Sequence, residues 1–196
     1  MNKQETNVGS SRERMMETAV ALMRQTGLSG AGINEIVRNS CAPKGSVYHH
    51  FPGGKAQIVE EGLAAYSTRV VAFINANLSS KHKPDEKVKA LFNAFAERIE
   101  QGEFRHSCPA GTVCLDLDAQ SENLRLAVAG AFDQYMMAIA AHFPFKSRAR
   151  SKSFAGLMLT TIEGAYIRGR ADRSSNPFRE AGTWLAELAK LETSGN

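Results

Sequence analysis

Arg38, Lys44, Ser46, Tyr48, His49, His50 and Lys55 fall within one short stretch, and they carry the cations, hydroxyls and ring N–H groups that bind phosphates and base edges. Gly45 sits among them, where a missing side chain lets a helix start come close to a phosphate or a base. Lys55 opens a further helical stretch, at which unpaired backbone N–H groups and the helix dipole already favour an anion. From residue 10 to residue 55, Arg12, Arg14, Arg24, Arg38, Lys44 and Lys55 face only Glu13, Glu17 and Glu35, so most of the formal net charge of +4 lies in the first quarter. Chemistry of this kind points to nucleic acid. Plainer readings stay open: Tyr48 as a partly buried helix aromatic, and the His49-His50 pair as a solvated helix end. A metal shared by those two histidines is disfavoured, because neighbouring helical positions point about 100° apart.

His106, Cys108 and Cys114 are metal-ligand types, but they lie in a segment broken by Pro109 and Gly111 and include no C-x-x-C pair. Cys108 or Cys114 could instead be a redox-sensing thiol, which requires an accessible and electropositive setting, with a buried small hydrophobe as the default for each. No metal and no cofactor are expected. Gly27, Gly30 and Gly32 miss the dinucleotide-loop spacing and follow a helix rather than a strand, and Gly53-Gly54-Lys55 is followed by Ala56 where a phosphate loop needs Ser or Thr. Residues 80–83 match S-x-x-K only inside a polar linker, and no zinc-protease helix or nucleophile elbow occurs. The chain is therefore not expected to be an enzyme.

In the second half Phe92, Phe95, Phe104, Phe132, Tyr135, Met136, Met137, Phe154, Met158 and Tyr166 recur at helical spacing, as core or as the wall of an apolar pocket between helices. Glu163, between Ile162 and Gly164 on an apolar helix, must be exposed, paired, or placed to orient a ligand. The candidate pocket is accordingly Phe92, Phe95, Phe132, Met136, Met158, Glu163 and Tyr166. Small residues Ala155, Gly156, Gly164 and Ala165 let helices approach closely, and Leu157, Leu159, Ile162, Trp184, Leu185 and Leu188 supply apolar surface. Packing within one subunit or between two would both use them, and Gly156, Ile162, Trp184, Leu185 and Leu188 are the candidates for a homodimer interface.

The elements that must position these groups are helical throughout, since apolar residues recur at helical spacing and alternating β-branched runs are missing. With 43% hydrophobic and 22% charged residues the chain is neither disordered nor a disulfide scaffold. Its longest apolar run, residues 135–141, is far short of the roughly 20 residues that cross a bilayer. A polar start without a signal peptide and three cysteines predict a cytoplasmic protein with reduced thiols and no membrane partner. Ser10 or Ser11 with Glu13 predicts a capping box on the first helix, which Gly27 should stop. A second stripe runs from Ile33 to about Ser40. A third segment begins at Ala42-Pro43, with proline in the first helical position, and reaches about His50. A longer helix follows from Lys55 to about Leu78. Asp85 caps the next, residues 103–120 read as irregular or weakly helical, and helices then span about 121–143 and 147–170, before a last one for which Asn176-Pro177 is the N-cap and first-residue pair. The total is about nine helices.

Two short helices about three residues apart, held by Ile36, Val37, Ala42 and Val47, have the geometry of a helix-turn-helix, whose second helix enters the major groove. That spacing alone is a weak signal. The stretch GINEIVRNSCAPKGSVYHHFPGGKAQIV, however, resembles the DNA-binding signature of the TetR/AcrR family of bacterial repressors, with Lys44, Gly45, Ser46, Val47, Tyr48, His50 and Phe51 on its core pattern. Pro43 in place of a Ser or Thr cap, and one extra residue between Phe51 and Lys55, resemble the LmrA/YxaF-like subgroup. The resemblance implies an N-terminal domain of residues 1–56 that binds a palindromic operator, and a C-terminal domain of residues 57–196 for dimerisation and a small, apolar or aromatic effector that releases the DNA. It also implies that Tyr48, His50 and Lys55 contact phosphates, with Lys44, Gly45, Ser46 and His49 near base edges. The rival expectation is a small-molecule or redox-sensing binding protein that acts without DNA.

Overall fold

The computed structural model describes residues 9–118 and 120–194, and the fold among these is all helical, with nine α-helices, one short 3-10 turn and no strand. Helix α1 (Ser11–Gly30) starts with the capping box: Ser10 Oγ accepts the Glu13 N–H at 3.3 Å while Glu13 Oε2 accepts the Ser10 N–H at 2.7 Å. Gly27 breaks its regularity at φ 75°, ψ −168°, a backbone shape essentially restricted to glycine, but one more turn continues to Gly30. Helix α2 (Ile33–Ser40) ends in a left-handed Cys41. Pro43 does not open the third segment as its first helical residue: it is extended (φ −62°, ψ 131°) and precedes a 3-10 turn, Lys44–Ser46, that feeds the single-turn α3 (Val47–His50). Ser46 anchors that turn through its N–H and its hydroxyl, both donating to the Pro43 carbonyl at 2.9 and 2.6 Å.

Helix α4 (Gly54–Ser79) is 26 residues, about 39 Å long. It packs closely on α1, where a Cβ on Gly62 would stand 3.1 Å from Val20. Helix α5 (Pro84–Gln101) is capped by Lys83 rather than Asp85, because Pro84 with its fixed φ takes the first helical position and moves Asp85 into the first turn. The segment expected to be irregular contains a true helix, α6 (Pro109–Leu115), again opened by proline. Helices α7 (Glu122–Ala140), α8 (Arg148–Asp172) and α9 (Asn176–Ser194) complete the chain. The Ser147 hydroxyl caps α8, whereas Asn176 already lies inside α9 and its N–H is taken by Ser174 Oγ at 3.2 Å.

Two apolar clusters result. The smaller joins Met15, Ala19, Ile36, Ala42, Val47, Phe51 and Ile58, drawn from α1 to α4. The larger runs from Val20 and Met23 of α1 through α4 to α9, and includes Phe92, Tyr135, Met158 and Phe178. Helices α5 and α9 cross so closely that a Cβ on Gly182 would stand 2.7 Å from Phe92 Cβ. Within this core Ser67 and Tyr135 satisfy each other's hydroxyls at 3.1 Å, joining α4 to α7. No described helix is long and apolar enough to cross a membrane.

Candidate functional site

The small cluster determines which side chains face outward. Val47 and Phe51, one helical turn apart, are both fully buried, which turns Tyr48 and His49 to solvent on the opposite side. Tyr48 is 63% exposed, a large aromatic left on the surface beside exposed Gly45. His50 is half-buried, its ring edge-on to His49 at 5.1 Å and packed toward Phe51. Arg38, at the end of α2, is exposed and pairs with Glu35 on the preceding turn. Lys44 opens the 3-10 turn, and its side chain lies outside the described residues. Gly45, Ser46, Tyr48 and His49 thus form one accessible strip.

Lys55 does not join it. Its ammonium donates to the Leu28 carbonyl at 2.6 Å and is attracted by Asp116, and burial lowers its pKa below the usual lysine value. The first-turn position that seemed suited to a phosphate is used inside the protein, because α4 starts against the end of α1. Asp116, just after α6, accepts the Ser29 N–H at 2.8 Å and the Ser29 hydroxyl at 3.0 Å, and these bonds hold its carboxyl below the usual range. Further bonds bind the α6 region to α1: Thr112 Oγ1 donates to the Met23 carbonyl at 2.7 Å, the Ser107 N–H to Arg24 at 2.9 Å, and Arg170 to Gln25 at 3.0 Å.

Helix α6 also forms one wall of a cavity of about 630 Å³ closed by α7 and α8. Phe132, Met136, Glu163 and Tyr166 of the expected pocket line it. Phe92 and Met158 do not reach it: both are fully buried, Phe92 under α9 and Met158 in the core. Phe95 faces a separate void of about 20 Å³ with Tyr66, Arg98 and Tyr135, and Glu163, Tyr166 and Cys108 border both spaces. Of the lining residues that the sequence reading missed, Gly111, Thr112, Cys114 and Leu115 belong to α6, and the paired Pro109 and Gly111 that obscured this helix are in its first turn. A Cβ on Gly111 would meet Glu163 Oε2, and the carboxylate would have to swing away to admit it.

Burial pushes Glu163 up to about 7, opposed by a hydrogen bond from Cys108. Cys108 is buried, and its thiol is raised well above the usual value by burial and by the neighbouring carboxylate, the opposite of an activated thiol. Cys114 is exposed at the cavity wall, and His106 hydrogen-bonds Gln25 at 2.9 Å.

Of the interface candidates, Gly156 lines the cavity, Ile162 and Leu185 are buried within the chain, and Leu188 is partly buried. Trp184 is 76% exposed, and Leu157, Ile167 and Leu191 join it as large apolar side chains left in solvent on α8 and α9.

Comparison with known proteins finds relatives over most of the chain. Residues 15–62 match the family model for bacterial regulatory proteins, tetR family, and residues 84–183 match that for the transcriptional regulator LmrA/YxaF-like, C-terminal domain. The chain is 30% identical over 174 residues to an uncharacterized HTH-type transcriptional regulator of Mycobacterium tuberculosis, covering 85% of this chain and 88% of that protein. It is 27% identical to the HTH-type transcriptional regulator LmrA of Bacillus subtilis, over 93% of this chain and 98% of LmrA. The fold superimposes on the regulatory protein TetR from Rhodobacter sphaeroides with a TM-score of 0.81 at 19% identity, covering 90% and 97% of the two chains.

Proposed function

Since the chain belongs to the TetR family of DNA-binding transcriptional regulators, we propose that it is a repressor that binds a palindromic operator as a homodimer and leaves it when an apolar or aromatic effector enters the cavity between α6, α7 and α8. Residues 1–56 would read DNA and residues 57–196 would bind the effector and dimerise. The observation that carries this reading is the position of α6, which is at once a wall of the cavity and the part hydrogen-bonded to α1 at Met23 and, through Asp116, at Ser29. A ligand that displaces α6 therefore acts on the base of the DNA-reading unit, and it shifts the equilibrium only by its difference in affinity between the two positions.

On the DNA side, Tyr48 and His50 would meet phosphates and Lys44, Gly45, Ser46 and His49 the base edges, with Arg38 flanking. Lys55 is removed from this set by its bond to Leu28. The exposed Trp184, Leu191 and Leu157 support an apolar interface on α8 and α9, placing two recognition helices about 34–36 Å or somewhat more apart on successive major grooves. A redox-sensing reading through Cys108 is disfavoured by its buried, protonated thiol.

Selection of bound DNA from a random pool at moderate salt, followed by sequencing, tests the proposal. A palindromic consensus is expected and supplies the probe for effector release. Salt-sensitive binding without a consensus would leave only an unspecific basic patch and overturn the operator reading.

A further inference from the structure

The cavity holds an acid that no described cation neutralises. Glu163 enters it from α8 among Phe132, Met136, Leu159 and Tyr166, and no described Lys, Arg or His forms an ion pair with it. The titratable and charged groups that border the two spaces around it are Cys108 before α6, Cys114 of α6, Tyr66 of α4, Arg98 of α5, Tyr135 of α7, and Tyr166 and Arg170 of α8. Both arginines are engaged elsewhere. Arg98 donates to the Tyr66 hydroxyl at 3.0 Å and lies over the Phe73 ring, and Arg170 donates to Ser107 Oγ and to the Gln25 carbonyl.

A carboxyl in apolar surroundings is satisfied either by a proton or by a cation. Its hydrogen bond from the Cys108 thiol favours the ionised form, and Phe132 and Tyr166 supply ring faces that attract cations. An anionic ligand would meet a like charge. A neutral one would leave the carboxylate without a counter-ion. The volume of about 630 Å³ is that of a drug-sized site. Building on the effector reading of this cavity, we infer that its ligand is an apolar or aromatic body bearing one basic amine, with the ammonium docked on Glu163 and the body against Phe132, Met136 and Tyr166.

Three compounds with one body and different heads test this by calorimetry on the full chain: biphenyl-4-methylamine, biphenyl-4-methanol and biphenyl-4-carboxylate. At about pH 8 the amine should bind about tenfold or more tighter than the alcohol, the size of a charge-assisted hydrogen bond. Glu163→Gln should abolish that preference while the alcohol's affinity stays within about twofold. Near pH 6 the amine's advantage should shrink, because Glu163, raised to about 7, then holds a proton that the ammonium must displace. Equal or tighter binding of the alcohol or the carboxylate, a preference that survives Glu163→Gln, or no binding by any of the three overturns the inference. The effector reading fails separately. Gly156→Leu fills the cavity from α8, and circular dichroism verifies its fold; if binding is unchanged, the compounds sit elsewhere. Release of the selected operator by some other compound in a mixed screen would keep the effector reading while the amine assignment falls.

Discussion

Replacing Gly27 by Ala should cost about 2–4 kcal/mol of folding stability, and the cost has two parts that can be separated. At φ 75°, ψ −168° an L side chain is strained by about 1–3 kcal/mol wherever it points. The new Cβ would also stand 2.5 Å from Asp116 Oδ2, so the carboxylate must withdraw and give up its bonds to the Ser29 N–H and hydroxyl. Asp116 is exposed, so solvent screening reduces those two bonds to about 1 kcal/mol together. Urea unfolding followed by circular dichroism, at one fixed protein concentration, measures the change. Asp116→Ala alone should then cost about 1 kcal/mol, and close to nothing in the Gly27→Ala background, where the carboxylate has already been displaced. The pH dependence has a defined sign. Asp116 has a folded pKa below its unfolded one, so its contribution is present above about pH 4 and is lost as the pH falls through the folded value. A Gly27→Ala cost below about 1 kcal/mol, or an equal Asp116→Ala cost in both backgrounds, would refute the geometry assigned to this junction.

Tyr48→Ala should weaken operator binding by about tenfold or more while the melting temperature stays put, as its ring is exposed; a gel-shift titration with an unchanged midpoint would remove it from the interface. Lys55→Gln should lower stability by up to about 1 kcal/mol through loss of its bond to the Leu28 carbonyl, yet leave the slope of log affinity against log salt unaltered, whereas a slope smaller by about one would restore Lys55 as a phosphate contact. In the native protein a thiol reagent should modify Cys41 and Cys114 and spare Cys108, read by mass spectrometry; rapid labelling of Cys108 would contradict its burial.

The helix-turn-helix was legible because its signal is local: Ile36, Ala42, Val47 and Phe51 must share one face for so short a pair of helices to have a core, and the outward position of Tyr48 and His49 follows from that. Capping was legible for the same reason at Ser10, where the cap and its partner are three residues apart. The inward bond of Lys55 was not legible because its partners, Leu28 and Asp116, lie 27 and 61 residues away, and the favourable helix start gives no hint of them. Helix α6 was obscured by Pro109 and Gly111, which break most helices but occupy the first turn of this one, where proline lacks nothing and glycine makes room for Glu163. Phe92, Met158 and Phe132 look alike in sequence, and only the close α5–α9 crossing at Gly182 decides that Phe92 packs and Phe132 lines the cavity.

The proposed switch asks little of its effector. A hundredfold loss of operator affinity corresponds to about 2.7 kcal/mol of coupling, within the usual range for two linked sites. The bonds that tie the α6 region and Arg170 to α1, at Met23, Arg24, Gln25 and Ser29, include seven among the described residues, each with a net value of about 1 kcal/mol or less where exposed. Losing or redirecting two or three of them is enough. A ligand docked on Glu163 would press on α6 at Gly111, where a glycine lets the carboxylate come close to the α6 backbone. With only seven residues, α6 would move as a unit, carrying its buried Pro109, Ala110 and Val113 with it. Coupling should therefore be more sensitive to Thr112 and Asp116, which hold α6 to α1, than to any side chain deep in the pocket that does not touch α6. Asp116→Ala removes both bonds to Ser29 from a residue outside the cavity lining. It should reduce the effector's fold-change in operator affinity by about fivefold while altering effector binding to the free protein by less than about twofold. An equal loss in effector affinity would show that Asp116 shapes the cavity itself, and an unchanged fold-change would show that the message to the DNA-reading unit travels by another route.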